Sequence, residues 1–291
     1  MRALLIGGTG FTGSYVAPRL AAAGYEVTAL VRASSNASRL PAAVARIDGN
    51  LDDQASLERA MRGRDVLVCV ASIGFGHAPA LVAAAQAAGV SRAIFISTTA
   101  IFTTLNAPSK AVRVAAENTI LGSGLRATIL RPTMIYGSAR DRNMARLIRY
   151  LLRWPVIAVA GSGQHRQQPI FVDDVARAVV DALGADGTAG RAYNIAGAAP
   201  LTFNEIIDTI AGLLGRRVRK VHLPARPLVA ALRAVERTPL RLPIRAEQIL
   251  RLNEDKAFDY AEAARDFGFT SRPFAEGIAQ EIRELATADR G

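Results

Sequence analysis

Short, mainly apolar runs alternate along this chain with longer stretches in which apolar residues return every three or four positions. Runs of the first kind, at 3–6, 25–31, 44–47, 65–71, 92–96, 125–130 and 192–195, read as strands covered on both faces. Stretches of the second kind predict helices. One opens after residue 13 with Val16 and Leu20 inward, 54–61 is closed by Gly63, and 79–88 ends at Gly89. Further helices follow from Pro108 and over 143–152, 175–183 and 202–214; Trp154-Pro155 breaks the second of these, and Thr202 with Glu205 forms a capping box on the last. Repeated strand–helix units with short connections predict an α/β fold, a doubly wound parallel sheet of the Rossmann type. Its ligand lies beyond the carboxyl ends of the strands. Residues 1–155 are expected to form the dinucleotide-binding domain, with 164–195 returning to it. Residues 156–291 are expected to be mainly a smaller α/β substrate-binding and capping region.

The first strand leads straight into Gly7-Gly8-Thr9-Gly10-Phe11-Thr12-Gly13. Gly7 permits a tight turn, Gly10 lets backbone approach a pyrophosphate, and Gly13 lets the helix pack close to the strand. The unpaired N–H groups at the start of that helix face the phosphates. Cofactor choice is read after the second strand. There Arg32 stands where an NAD-selective site carries an acid, with Ser34 and Ser35 as further donors, so NADP(H) is favoured and NAD(H) possible.

Composition narrows the classes. With 291 residues and 50% of them hydrophobic, the chain can bury a large core. No apolar run approaches the roughly 18 residues of a membrane span, and the first strand starts too near Met1 for a signal peptide. A cytoplasmic protein is expected. Cys69 is the single cysteine and lies in an apolar run, so neither a disulfide nor a cysteine-based metal site is expected, and no metal is assigned. The net charge of +11 is carried mainly by arginines, at 140–153, 216–219 and 226–251. Solvated helix faces account for it, and no nucleic-acid-binding signature accompanies it. The last of these segments, which also holds Pro239 and Pro243, mixes apolar and Arg positions. It is expected to form short helices over the substrate cleft, with peripheral contact to an anionic membrane as an alternative.

Five ordered motifs carry a family resemblance: the glycine loop, Asp48-Gly-Asn-Leu-Asp-Asp53, Phe95-Ile-Ser-Thr-Thr-Ala100, Leu130-Arg-Pro-Thr-Met-Ile-Tyr-Gly137 and Gln168-Pro-Ile-Phe-Val-Asp-Asp-Val-Ala176. The chain resembles the extended and atypical short-chain dehydrogenase/reductases, a superfamily that includes the NAD-dependent epimerase/dehydratases. The last motif is most similar to the branch of the complex I accessory subunit, and NmrA-type regulators are also similar. The resemblance implies that Gly7, Thr9, Gly10, Phe11, Thr12 and Gly13 hold the pyrophosphate and that Asn50 and Leu51 flank the adenine. Ala71 and Ser72 would line the path to the nicotinamide, and Pro132 and Thr133 would border its amide. Thr99 would orient a substrate oxygen, and Lys110 would bind the nicotinamide ribose.

One position departs from the pattern. Where the superfamily carries its general acid/base Tyr, four residues before the Lys, this chain has Asn106, and an amide does not exchange a proton at neutral pH. His77 and Tyr136 are the conceivable replacements, although a loop His is often merely solvated and Tyr136 belongs to a motif of structural use. Gln164, His165 and Gln168, in a polar loop that lies over the substrate in relatives, are candidate substrate contacts or plain surface. Asp173 and Asp174 read as caps of the helix that follows rather than as a metal pair. Two functions stand side by side: an NADP(H)-dependent oxidoreductase or epimerase-like enzyme acting on a small molecule, and a non-catalytic cofactor-binding sensor or structural subunit. Leu81, Val82 and Ala85 form a stripe that suits either a homodimer interface or the packing of a monomer.

Overall fold

The computed structural model describes residues 1–238 and 245–288, so Pro239 and Pro243 lie outside the described residues. The first half runs β1 (Arg2–Ile6), α1 (Gly13–Ala22), β2 (Glu26–Val31), β3 (Ala45–Asp48), α2 (Gln54–Met61), β4 (Val66–Cys69), α3 (Ala78–Ala87), β5 (Arg92–Ile96), α4 (Pro108–Leu121) and β6 (Ala127–Pro132). Then follow β7 (Ile135–Tyr136), α5 (Met144–Arg153), β8 (Val156–Ala160), β9 (Arg166–Gln167), β10 (Ile170–Phe171), α6 (Val172–Gly184), β11 (Arg191–Ile195) and β12 (Leu201–Thr202). The chain closes with α7 (Phe203–Leu213), β13 (Arg219–Leu223), α8 (Ala225–Glu236), α9 (Ala246–Leu252), α10 (Ala261–Phe267) and α11 (Phe274–Ala288).

Seven parallel strands form the central sheet in the order β3-β2-β1-β4-β5-β6-β11. The direction of winding reverses between β1 and β4, which opens a crevice at their carboxyl ends. The period-two geometry of β1 explains why its whole run is apolar. Ala3 and Leu5 pack with Val16, Ala17 and Leu20 of α1 and Val175 and Val179 of α6, while Leu4 and Ile6 meet Leu57, Met61, Leu81 and Ile120 on the other face. Leu81, Val82 and Ala85 thus belong to the core under the sheet rather than to an exposed stripe. Cys69 is buried there too, and burial pushes its thiol up to about 12.

Two local expectations are corrected by long-range pairing. β6 runs on to Pro132 because Arg131, which ends the apolar run, is neutralised by a bidentate contact to the buried Glu117. α6 begins at Val172, and Asp173 and Asp174 do not cap it. Asp173 instead accepts from Arg19 Nε at 2.6 Å, and Asp174 accepts from the Arg272 backbone and guanidinium at 3.0 and 3.1 Å. These carboxylates tie α1 and the segment before α11 to the first turn of α6.

The C-terminal half has its own core, in which Met144, Ile148 and Leu151 of α5 meet Ile206, Ile207 and Ile210 of α7 and Ile278 and Leu285 of α11. A small further cluster joins α8 to α9 through Val229, Leu232, Ala246 and Ile249. Glu281 of α11 is fully buried, and neither carboxylate oxygen has a hydrogen-bond partner of good geometry among the described residues. Burial, reinforced by the nearby Asp141 carboxylate, pushes its pKa from 4.5 up to about 9. Asp141 accepts from the Asn143 and Met144 backbones at 2.8 and 2.6 Å and so starts α5.

Two outcomes follow from this packing. The folded protein holds a proton on Glu281 that the unfolded chain releases above its ordinary pKa, so this contribution is present in acid and is lost as pH rises toward 9. Urea denaturation is expected to show stability falling by at most about 1.4 kcal/mol per pH unit over that window, and Glu281→Gln to flatten the slope. Gly13→Ala would place its Cβ 2.1 Å from the Gly7 carbonyl oxygen. Denaturation of that variant should report a loss of about 3 kcal/mol or more.

Candidate functional site

The glycine loop is built by a carbonyl. Gly7, at φ +86°, turns its oxygen toward the start of α1, where it accepts from Gly10 N–H at 3.0 Å. A Cβ at Gly7 would meet the Ala71 backbone nitrogen at 2.8 Å, so the loop also lies directly against the end of β4. A Cβ at Gly10 would meet only the Gly7 oxygen, at 3.1 Å, which leaves its outer side open to a ligand. The α1 N-terminus has no side-chain cap and no acid in its first turn. The backbone N–H groups of Phe11, Thr12 and Gly13 have no acceptor among the described residues. Consecutive free donors at a helix N-terminus with no competing carboxylate suit an anionic diphosphate, so the residues present fit a dinucleotide.

Arginine surrounds that loop. Arg140 donates to Thr9 O at 3.2 Å and Ser14 Oγ at 3.1 Å, spanning the mouth of the glycine turn. Burial and the positive charge of Arg39 hold its pKa below the ordinary value. Arg32 is exposed just beyond β2, and its guanidinium has no partner among the described residues. On the adenine side, Asn50 Oδ1 accepts from the Asp52 backbone at 3.4 Å, and Leu51 packs against the core under the sheet. Ser72 Oγ accepts from Gly74 N–H at 3.2 Å and starts the short turn after β4, beside Ala71.

His77 does not line the cavity described below. Its Nε2 is 2.9 Å from Asp52 Oδ1, bridging the loops after β3 and β4, and its buried Nδ1 has no partner among the described residues. Tyr136 is a core residue, packed edge-on against Phe171 with its hydroxyl donating to Phe274 O at 3.3 Å. Burial pushes its phenol far up, so it does not exchange protons near neutrality. Neither candidate acid reaches the cavity described next.

A cavity of about 1060 Å³ opens beyond the carboxyl ends of β5 and β6. Thr99 and Thr133 line it, and Thr99 Oγ1 lies 3.4 Å from Pro132 O, so these residues meet where the sheet gives way to the C-terminal half. Lys110 and Asn106 do not line it. Lys110 Nζ donates to Thr103 O at 2.6 Å, and Asn106 faces a smaller cavity of about 300 Å³ against α8 and α9. Gln168 is buried and stitched between Gly197 O at 2.7 Å and the Phe258 N–H at 2.8 Å, Gln164 is exposed, and His165 lies 3.8 Å from Asp255.

Several cavity residues carry no local mark in the sequence. Gln167 lines the cavity, with its amide donating to Glu254 O at 3.1 Å. Glu254 accepts from Thr103 Oγ1 at 2.7 Å and Thr104 Oγ1 at 2.8 Å, fastening the segment after β5 to the segment after α9. Phe102 and Phe258 stack 5.7 Å apart across the same junction. Lys256 lines the cavity with its ammonium donating to Arg251 O; burial and Arg251 hold its pKa below the ordinary lysine value against the opposing pull of Glu254.

Residues 7–186 match the family described as NAD(P)H-binding. The chain is 27% identical over 287 residues to NADH dehydrogenase (ubiquinone) 1 alpha subcomplex subunit 9, mitochondrial, of Arabidopsis thaliana, covering 88% of this chain and 69% of that protein. It is 30% identical over 297 residues to the (4-alkanoyl-5-oxo-2,5-dihydrofuran-3-yl)methyl phosphate reductase of Streptomyces griseus, covering 97% of this chain and 99% of that one. Among solved structures, the UDP-glucose 4-epimerase of Thermotoga maritima superposes with a TM-score of 0.77 at 19% identity over 99% of each chain, a likeness of fold. No helix among the described residues is long and apolar enough to cross a membrane. The glycine cradle, the crevice between β1 and β4 and the match over residues 7–186 agree: this chain belongs to the NAD(P)H-binding family of the short-chain dehydrogenase/reductase superfamily, with its epimerases and reductases.

Proposed function

We propose that this protein is an NADP(H)-dependent oxidoreductase that reduces a carbonyl or conjugated enone in the cavity beyond β5 and β6. The observation that carries the reading is the shared boundary of cradle and cavity. The β5 and β6 ends, which border the nicotinamide in this superfamily, also supply Thr99 and Thr133 to the cavity wall. Bound in the cradle, NADPH would supply a hydride to the substrate carbon. Thr99 would donate its hydroxyl to the substrate oxygen, where negative charge develops, and the surrounding apolar wall would exclude water. Preference for the 2′-phosphate is supported by Arg32, which follows β2 with no acid in the next six residues to accept from a ribose hydroxyl, and by Arg140 at Thr9 O with Arg39 near it.

Asn106 occupies the superfamily's Tyr position and cannot be the proton source. Lys256 is the candidate in its place. It is a partly buried ammonium on the cavity wall, and its lowered pKa brings it nearer to the operating range of a general acid. Lys110, holding Thr103 O, would fix the segment that carries Thr99. The alternative is a cofactor-binding protein without turnover. Asn106 favours it, and the likeness to the Arabidopsis subunit lends it weak support.

Titration of the purified protein with NADPH and NADH in parallel should show tighter binding of NADPH. Arg32→Ala and Arg140→Ala should each weaken NADPH by about tenfold or more and NADH by less, as expected for lost charge-assisted hydrogen bonds to a phosphate. Turnover against a panel of carbonyl and enone substrates should fall as pH rises through the lowered Lys256 pKa, because only the ammonium donates. Lys256→Met should remove that limb and leave NADPH affinity intact. Stable NADPH binding without oxidation across the panel would sink the enzyme reading in favour of the alternative.

A further inference from the structure

Resting on the reading of this cavity as the substrate site, we infer that it takes an anionic amphiphile: an extended apolar chain ended by a phosphate group. Away from Thr99 the cavity has a large apolar face, with Leu147, Ile157, Ile206, Leu228, Leu232 and Ile249 contributed by α5, β8, α7, α8 and α9. At about 1060 Å³ it sits at the upper end of the range for small-molecule pockets, far more than a sugar or a short keto acid needs. Tyr150 and Leu223 line it and are 41% and 39% exposed, so the cavity reaches the surface beside them.

The charged groups on this wall are unevenly satisfied. Its carboxylates are already engaged, Glu254 by Thr103 and Thr104 and Asp255 by the Arg166 backbone at 2.7 Å. Arg251 is paired with Glu247. Arg142 and Arg146 line the cavity on either side of the start of α5, and their guanidiniums have no partner among the described residues. Arg146 lies in the first turn of α5 and Arg142 two residues before the helix. Both are exposed at the cavity edge, where a phosphate gains both charges. Arginine in pairs presents the forked donors that suit that group.

Such a ligand has two sources, a soluble chain-bearing phosphate or a membrane phospholipid with a phosphate head, and the experiment separates them. The full chain is titrated by calorimetry with dodecyl phosphate below its micellar concentration, with butyl phosphate and with dodecanol, and NADPH is titrated into the same samples. Dodecyl phosphate is expected to bind at least tenfold more tightly than either control. The Arg142→Gln/Arg146→Gln pair should lose about tenfold or more of that affinity while NADPH binds as before. Leu228→Gln/Leu232→Gln should reduce the advantage of dodecyl over butyl phosphate. In the second arm, co-sedimentation with phosphatidylcholine vesicles containing phosphatidic acid, lost in the Arg pair, assigns the ligand to the membrane. Absence of sedimentation alongside tight dodecyl phosphate binding assigns it to solution. Dodecyl phosphate bound no better than butyl phosphate, or equally by the Arg pair, overturns the inference; if NADPH still binds, the cofactor reading stands without it.

Discussion

The close approach of α1 to the end of β1 is the constraint on which the site depends. The Gly7 carbonyl points into the turn, where one oxygen accepts Gly10 N–H and leaves no room for a side chain at Gly13. That contact fixes the direction of α1 and therefore the direction of its free N–H groups. It also holds the loop against Ala71, so the first and fourth strands end at one crevice. A side chain at either glycine would separate helix from strand, and the phosphate cradle would be lost together with the packing of Val16 and Leu20 on the sheet.

Charge pairs extend this geometry to the C-terminal half. Arg19 of α1 meets Asp173 of α6, and Arg272 meets both Asp173 and Asp174, so the cradle helix, the first turn of α6 and the segment before α11 share one partly buried network. Removing one member would leave a partner charge buried and uncompensated, which costs far more than a surface pair returns. Glu254 does the corresponding work at the cavity, joining the Thr103–Thr104 segment to the chain after α9. The cavity is thus walled by elements distant in sequence, held by a few polar contacts within a largely apolar surface.

Its electrostatics follow from which charges are already satisfied. Glu117 is matched by Arg131, and Glu254 and Asp255 by hydroxyls and backbone, whereas the guanidiniums of Arg142 and Arg146 and the donors around the glycine loop are left for a ligand. The glycine loop has no acid in the first turn of its helix, and the carboxylates on the cavity wall are already engaged. The net charge of +11, which suggests only solvated helix faces when read along the chain, is in part concentrated at these sites.

What the sequence by itself determined is what depends on neighbours along the chain. The apolar runs mark strands because both faces of a parallel sheet are covered, and the glycine spacing marks the turn because backbone conformation and close approach demand it. The capping box at Thr202 and Glu205 is present as read. Tertiary structure decided everything that depends on direction or on partners far away. Arg140 reaches Thr9 across 131 positions, and no local pattern announces that contact. Gln167 lines the cavity and Gln168 is bonded into the core because adjacent residues of an extended segment point to opposite sides. Lys110 turned to Thr103 O, His77 to Asp52 and Tyr136 into the core for the same reason: a polar group goes to the partner that packing puts within reach, and only the folded chain says which partner that is.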